Sequence, residues 1–379
     1  MNTSYISPFT IILYVSVLVV SSFFAFLSEK KVRMTNDSVN LVLRRNRKIY
    51  FFFSFIPLYI LLILSACGAD HFSYNNLFEL ADNFSVIFGY GGMELGFTLF
   101  LYIVRLFTKN VDIFNAILAF VFLGLIYFTI YRLRTRLHVG WAVFCFVSIF
   151  FFQYMSLKRI YLAGAMVFFS TPYWLKSQYG KVIICLIIAV SFHISSIIAF
   201  IPFLFDRFLK IKIDTKKVVF LFVVILIFLI QSRGFIASIN FGERHADYGL
   251  NSTSSIGFLQ LFYYLPLLFI YDKAIKQDSS NRLYRISFLS LLCAFGLGIF
   301  SYYFDMIGRA FVIYMLPIVF FPTIFLYSFS NRVLLSRNGY ILRVLFIVLY
   351  CSVRLYFYFS SYLVLDQISP YTTIFGDVF

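Results

Sequence analysis

The stretch AVSFHISS, Ala189 to Ser196, lies inside a run from Val182 to Phe205 that is otherwise almost wholly apolar. A histidine and three serines in such a run need partners, because a lipid interior holds no water to satisfy them. Whether the run crosses a membrane once or folds back fixes the topology of everything after it, and charge decides between the two. If it crosses once, Arg207, Lys210, Lys212, Lys216, Lys217, Lys273, Lys276, Arg282 and Arg285 fall outside the cell. The basic loop residues then divide about 15 to 15, whereas folding back gives about 23 inside against 7 outside, as the positive-inside rule requires. A hairpin of two half-length helices rises only about 18 Å, short of a hydrocarbon core about 30 Å thick. Its tip, with Ser191, His193, Ser195 and Ser196, therefore belongs in a protein-lined cavity that opens outward.

The rest of the chain has the same character. Of 379 residues, 61% are hydrophobic and 13% charged, which no water-soluble core requires. The expected fold is all-α: one polytopic membrane domain over residues 1–379, with about 10–12 transmembrane helices including the re-entrant hairpin 182–205. Spans are expected at Ile6–Leu27, Ile49–Ala69, Asp112–Tyr131, Val139–Met155, Ile160–Leu175, Val218–Gln231, Ile256–Tyr271, Ile286–Phe304, Ala310–Ser328 and Tyr340–Tyr362. The basic loop 28–48 marks the cytoplasmic side, which puts both termini outside. Met93–Phe107, in the outer loop 70–111, is read as an interfacial helix, since a crossing there would export Arg132, Arg134 and Arg136. A second outer loop covers 232–255. The first apolar segment has neither a basic leader nor a small-residue cleavage site and is expected to stay in the bilayer. Lys and Arg outnumber Asp and Glu 32 to 16, but they are scattered through short loops and serve topology rather than nucleic acid. The five cysteines sit in apolar runs without metal-ligand spacing and read as packing residues.

On this topology Asp70, Glu94, Arg159, Arg233, Arg244, Asp305 and Arg309 gather on the outer side with the hairpin tip. Arginine suits bidentate binding of phosphate, so several around one outward cavity suit a pyrophosphate. A histidine in an apolar segment is ordinarily a packing residue, and arginines at span ends ordinarily anchor to headgroups. The hairpin tip and its serines make His193 an acid–base candidate nonetheless. Ser191 and His193, two apart, share no helical face, which argues against a serine-hydrolase dyad. No His/Glu or His/Cys spacing marks a zinc site, and GYGGMELGF fits neither a dinucleotide fingerprint nor a P-loop. Asp305 stands at i, i+4 from Arg309, the spacing of a helical ion pair. Arg105 and Arg354 interrupt apolar helices, where a charge costs about 2.5–3.5 kcal/mol on insertion scales, and should face the bundle or reach to the interface.

The segments MELGFTLFLYIVRLF, MSLKRIYLAGAMVFFS, IIAVSFHISSIIAFIPFLF, FDMIGRAFVIYMLP and SPYTTIFG, in that order, resemble the EpsG/Wzy-type polysaccharide polymerases. The likeness runs from about Asp70 to the C-terminus. It departs from the family pattern at Met93, where a tyrosine often precedes the Glu, and at Ile160, where a glutamine often follows the Arg. The resemblance implies a GT-C-like glycosyltransferase of the bacterial cytoplasmic membrane, acting on its outer face without cofactor or metal. It would transfer a glycan from undecaprenyl pyrophosphate to a hydroxyl of an incoming lipid-linked repeat unit. The flippase and chain-length regulator of the same pathway are further expected partners. Carried over by motif, the site residues are Glu94, Arg159, His193 and Arg309. Arg244 and Arg233 join the pyrophosphate clamp, and Asp70, Ser195 and Asp305 support it. Two other classes share some of these features. A lipid-linked saccharide flippase would be expected to show an internal repeat, which is not evident here. A membrane O-acyltransferase accounts for an intramembrane histidine but leaves the outer arginines without a task.

Overall fold

Helix α1 (Pro8–Ser28) illustrates how these spans form. Ser7 caps it, its hydroxyl accepting from the Thr10 amide at 3.5 Å, and Pro8 takes the first turn, where no amide donor is needed. Twenty-one helical residues then extend about 32 Å. One face buries Tyr14, Leu18 and Ala25, while Phe9, Ile12, Val19 and Phe23 project away from the bundle, as suits a helix bathed by lipid. The computed structural model describes residues 6–29, 37–82, 94–209, 256–300, 309–327 and 337–378. The expected span 218–231, the loop 232–255, and with them Arg233, Arg244 and Asp305, lie outside the described residues.

Next come α2 (Asp37–Leu64), α3 (His71–Glu79), α4 (Leu95–Phe107), α5 (Val111–Leu133) and α6 (Val139–Phe146). Helix α6 continues through a π turn, Val147–Phe151, into a 3-10 turn, Phe152–Met155. They are followed by α7 (Lys158–Leu175), α8 (Tyr179–Phe192), a 3-10 turn Ile194–Ala199, and α9 (Phe200–Leu204) with a π turn Phe205–Leu209. The described chain ends with α10 (Ile256–Gln277), α11 (Arg282–Phe300), a 3-10 turn Arg309–Tyr314, α12 (Met315–Tyr327) and α13 (Arg337–Ser361). Four helical stretches, Pro8–Ser28, Arg47–Leu64, Val111–Leu133 and Asn338–Ser361, are each long and apolar enough to cross a bilayer. The protein is an all-α, membrane-embedded bundle. Helix α2 stops at Leu64, short of the expected Ala69, because Ser65 turns into a bridge with Thr373 of the C-terminal segment.

The helices run between two ends of the bundle. At one end the Ser7 amide donates to Ser369 Oγ (3.0 Å), and the amides of Gly68 and Ala69 donate to the carbonyls of Gln367 and Asp366. Gly68 has φ +121°, and a Cβ there would lie 2.3 Å from the Met155 carbonyl oxygen, so the α2–α3 turn admits only glycine. At the other end Glu29 meets His138, and the His138 amide donates to Thr323 Oγ1 (2.9 Å). Trp174, Asp206, Arg282 and Arg285 meet at that same end.

The run that opened the question reverses direction. The ring of Tyr179, at its start, lies 6.0 Å from that of Phe203 near its close. One Arg282 nitrogen donates both to the Tyr179 hydroxyl (2.9 Å) and to Asp206 (3.0 Å). Entry and exit thus share one end, and the tip at His193 reaches toward the other. The Asp206 side chain is fully buried and also accepts from Trp174 Nε1 (2.8 Å) and Arg285 Nε (2.8 Å), tying the base of the hairpin to α7 and α11.

Candidate functional site

The hairpin tip breaks helical geometry at His193, whose extended backbone (φ −157°, ψ 118°) ends α8 and begins the 3-10 turn. The imidazole caps that turn. Its Nδ1 accepts from the Ser195 amide (3.3 Å) and lies 2.7 Å from the Ser195 hydroxyl. A backbone amide can only donate, so a neutral ring carries its proton on Nε2. Among the described residues nothing bonds Nε2. The other tip residues turn elsewhere: the Ser191 hydroxyl donates to the Ile188 carbonyl (2.8 Å), and Ser196 is fully buried. Of the polar group read from the sequence, His193 and Ser195 alone form this pair.

Glu94 leads into α4, which lies directly against the hairpin. A Cβ on Gly96 would fall 2.2 Å from Ser191 Oγ and 2.7 Å from the Ser191 carbonyl oxygen, so only glycine permits the approach. Contact at that distance brings the Glu94 carboxylate to the tip, where Oε1 accepts from the Ile194 amide (3.2 Å). Its other oxygen accepts from Arg159 Nη1 at 2.6 Å. Arg159, second residue of α7, is backed by the Phe97 ring at 5.9 Å, and the Tyr74 hydroxyl of α3 faces its guanidinium. Asp70, at the N-terminus of α3, is close enough to act on Arg159 electrostatically. Glu94, Arg159, His193, Ser195 and Asp70 therefore converge at one end of the bundle. The backbone of Arg309 begins the 3-10 turn that packs along α7, where a Cβ on Gly164 would come within 2.9 Å of the Val312 carbonyl oxygen. The same turn reaches the hairpin through Tyr314, whose hydroxyl donates to the Ile198 carbonyl (2.7 Å).

Behind Arg159 lies a polar circuit that sequence reading did not single out. Lys158 is almost fully buried and precedes the apolar segment Ile160–Leu175. Its Nζ donates to Asn115 Oδ1 (2.8 Å), Asn115 Nδ2 donates to Asn75 Oδ1 (3.0 Å), and Asn75 Nδ2 donates to His71 Nε2 (3.0 Å). The His71 proton is then on Nδ1, which faces Lys158 Nζ at 3.4 Å. The circuit closes when that nitrogen is a neutral amine with a lone pair to offer. Burial acts in the same direction, pushing Lys158 down to about 8 from 10.5, and His71 down to about 4 from 6.5 with further help from the lysine charge. The circuit locks α3 to α5 and α7, and so fixes Tyr74 behind Arg159. Arg105, the single cation of α4, is occupied structurally: it binds Asp82 in bidentate fashion (2.7 and 2.9 Å) and lies over the Phe78 ring. Among the described residues no three His, Cys, Asp or Glu side chains converge as metal ligands do. All five cysteines are free, and Cys145 and Cys351 pack sulfur to sulfur at 3.4 Å.

Residues 48–373, a stretch that takes in Asp70, Glu94, Arg159, His193, Ser195 and Arg309, match the EpsG family. The chain belongs to the EpsG family. Membership points to a polysaccharide polymerase-type activity of the glycosyltransferase kind. No curated protein and no solved structure matches the chain. Within this EpsG-family chain the sequence marked Glu94, Arg159 and His193 singly. It gave no sign that Glu94 and Arg159 pair, or that Tyr74 and Gly96 hold the pair in place. Glycine two residues after an acidic residue was the available signal, since an isolated glycine early in an apolar helix often marks a close backbone approach.

Proposed function

We propose that this protein joins lipid-linked oligosaccharide units into a polysaccharide at the outer face of a bacterial cytoplasmic membrane. The donor is a glycan chain on undecaprenyl pyrophosphate, and the acceptor is a hydroxyl of the incoming lipid-linked unit. The observation that carries the reading is the meeting of Glu94, Arg159 and His193, which sit on three separate segments of an EpsG-family chain, at one end of the bundle.

In the reaction the acceptor oxygen attacks the anomeric carbon, the bond from that carbon to the pyrophosphate oxygen breaks, and undecaprenyl pyrophosphate leaves with the bonding pair. Charge accumulates on the leaving phosphate, and groups aimed at that charge lower the barrier most. Arg159 and Arg309 are assigned to it, with Arg233 and Arg244 in the same clamp. His193 presents Nε2–H and acts as a further donor to a phosphate or sugar oxygen, because Nδ1 already accepts from the Ser195 amide. The acceptor proton then goes to Glu94. In this arrangement Arg159 serves two partners, since an arriving pyrophosphate competes with Glu94 for the same guanidinium N–H groups and frees the carboxylate as it binds.

Incubating the purified protein with a defined lipid-linked repeat unit, and sizing the glycan, tests the reading. Lengthened glycan is expected from the wild type, and unextended lipid-linked units from Arg159→Gln and from His193→Ala. An unchanged glycan with the wild type would reject it. Transfer of an acyl group, or passage of the intact lipid across a bilayer, would replace it with the acyltransferase or the flippase.

A further inference from the structure

Arg354 lies in α13 seven residues before its end at Ser361, about 10 Å down the helix from the end where Glu94 and Arg159 meet. A cation at such a depth in a membrane bundle calls for a counter-charge. Among the described residues no carboxylate lies within 4 Å of it. Its guanidinium lies instead against two rings, 5.2 Å from Tyr263 and 5.3 Å from Phe311. Aromatic rings against the guanidinium stabilise its charge and leave its in-plane N–H donors directed outward. The group lines a narrow pocket with Ile149, Tyr264, Ile318 and Tyr350. A second donor is also idle: the Tyr263 hydroxyl is buried with no hydrogen-bond partner among the described residues. Phe311, which forms one wall, stands two residues after Arg309 in the turn that packs along α7, and it stacks on Phe150 at 5.6 Å. The pocket thus adjoins the turn that carries a clamp arginine.

We propose that Arg354 and Tyr263 form an intramembrane anion site for a lipid-borne phosphate group, reached past the turn that begins at Arg309. A phosphate supplies several acceptor oxygens to a fork of guanidinium donors and one hydroxyl; the pocket as it stands has room for about one water, so the phosphate enters only as its aromatic walls part. Naming the lipid as the polyprenyl pyrophosphate donor rests on the proposed function; the anion site itself does not.

The test is titration of the full-length protein in detergent with undecaprenyl pyrophosphate, undecaprenyl phosphate, phosphatidylglycerol or inorganic pyrophosphate, read by native mass spectrometry. Binding of undecaprenyl pyrophosphate is expected to weaken at least tenfold in Arg354→Gln, less in Arg354→Lys, and about threefold in Tyr263→Phe. If phosphatidylglycerol binds as well and with the same dependence, the site stands and belongs to bilayer phospholipid. If Arg354→Gln unfolds at the wild-type temperature and binds every lipid as the wild type does, the proposal is wrong. Should Arg354→Gln fail to fold, unchanged affinity in both Arg354→Lys and Tyr263→Phe overturns it equally. Glycan lengthening is scored separately, so a protein that binds lipid phosphate through Arg354 without extending glycan would reject the proposed function alone.

Discussion

Replacing Gly96 by alanine should disable the site without touching any residue assigned to chemistry. The new Cβ would stand 2.2 Å from Ser191 Oγ, 2.7 Å from the Ser191 carbonyl oxygen and 2.8 Å from its carbonyl carbon. The hydroxyl can rotate away, but the carbonyl belongs to the last turn of α8 and can move only with the hairpin. Restoring ordinary contact requires α4 and α8 to part by roughly 1 Å, and overpacking of this kind costs about 1–3 kcal/mol. The larger effect should be on rate. Glu94 is two residues from Gly96 and Ile194 three from Ser191, so the separation acts directly on the 3.2 Å bond from the Ile194 amide to the Glu94 carboxylate. Displacing a reacting group by about 1 Å costs on the order of a hundredfold in rate. The initial rate of glycan extension from a defined lipid-linked unit should therefore fall about a hundredfold in Gly96→Ala, with the unfolding temperature only modestly lowered. Adding Ser191→Gly removes the hydroxyl clash and leaves the two backbone clashes, so rescue should be partial. A wild-type rate in Gly96→Ala, or full rescue by Ser191→Gly, would show that the close approach does not position Glu94.

Three further outcomes are expected. His193→Gln, which can place an amide N–H near Nε2, should retain more extension activity than His193→Ala; equal and complete loss in both would favour a proton-accepting histidine over a donor. Asp206→Asn leaves Arg282 and Arg285 facing a neutral amide at a fully buried position, and breaking a buried pair in this way costs about 3–5 kcal/mol, so the yield of folded protein and its unfolding temperature should both drop. For the circuit behind Arg159, both bases have folded values below their unfolded ones, so the unfolded chain binds more protons between the two values and stability rises with pH there. The windows are about 4 to 6.5 for His71 and about 8 to 10.5 for Lys158. Unfolding temperature measured across pH should show the lower rise in the wild type and lose it in His71→Gln, and a flat wild-type profile between 4 and 6.5 would refute the assignment.

The hairpin was legible in the sequence because topology is recorded outside the hairpin itself, in the loops. The positive-inside rule asked for nine lysines and arginines after Val182–Phe205 on the side of the 28–48 loop, hence for a reversal, and a chain that reverses at His193 is what Tyr179, Phe203, Asp206 and Arg282 display. The approach of Glu94, Arg159 and His193 was legible for the same reason, since span ends placed on one side of a small bundle have little room to avoid one another. Their pairing was not. Sequence reading left Arg159 a cation awaiting phosphate, whereas α4 delivers Glu94 to it by way of Gly96, and no periodicity encodes which helix another will lie against. The Lys158 circuit was hidden more deeply, because His71, Asn75 and Asn115 are unremarkable polar residues until α3, α5 and α7 are packed. A lysine beside an arginine reads from sequence as a doubled positive charge. Once folded, the two diverge: Lys158 turns into a buried circuit, where burial brings it down to about 8, and Arg159 meets Glu94 at the site. Arg159 is therefore the one of the two adjacent cations that faces an incoming anion, and Lys158 fixes the helix on which that anion is received.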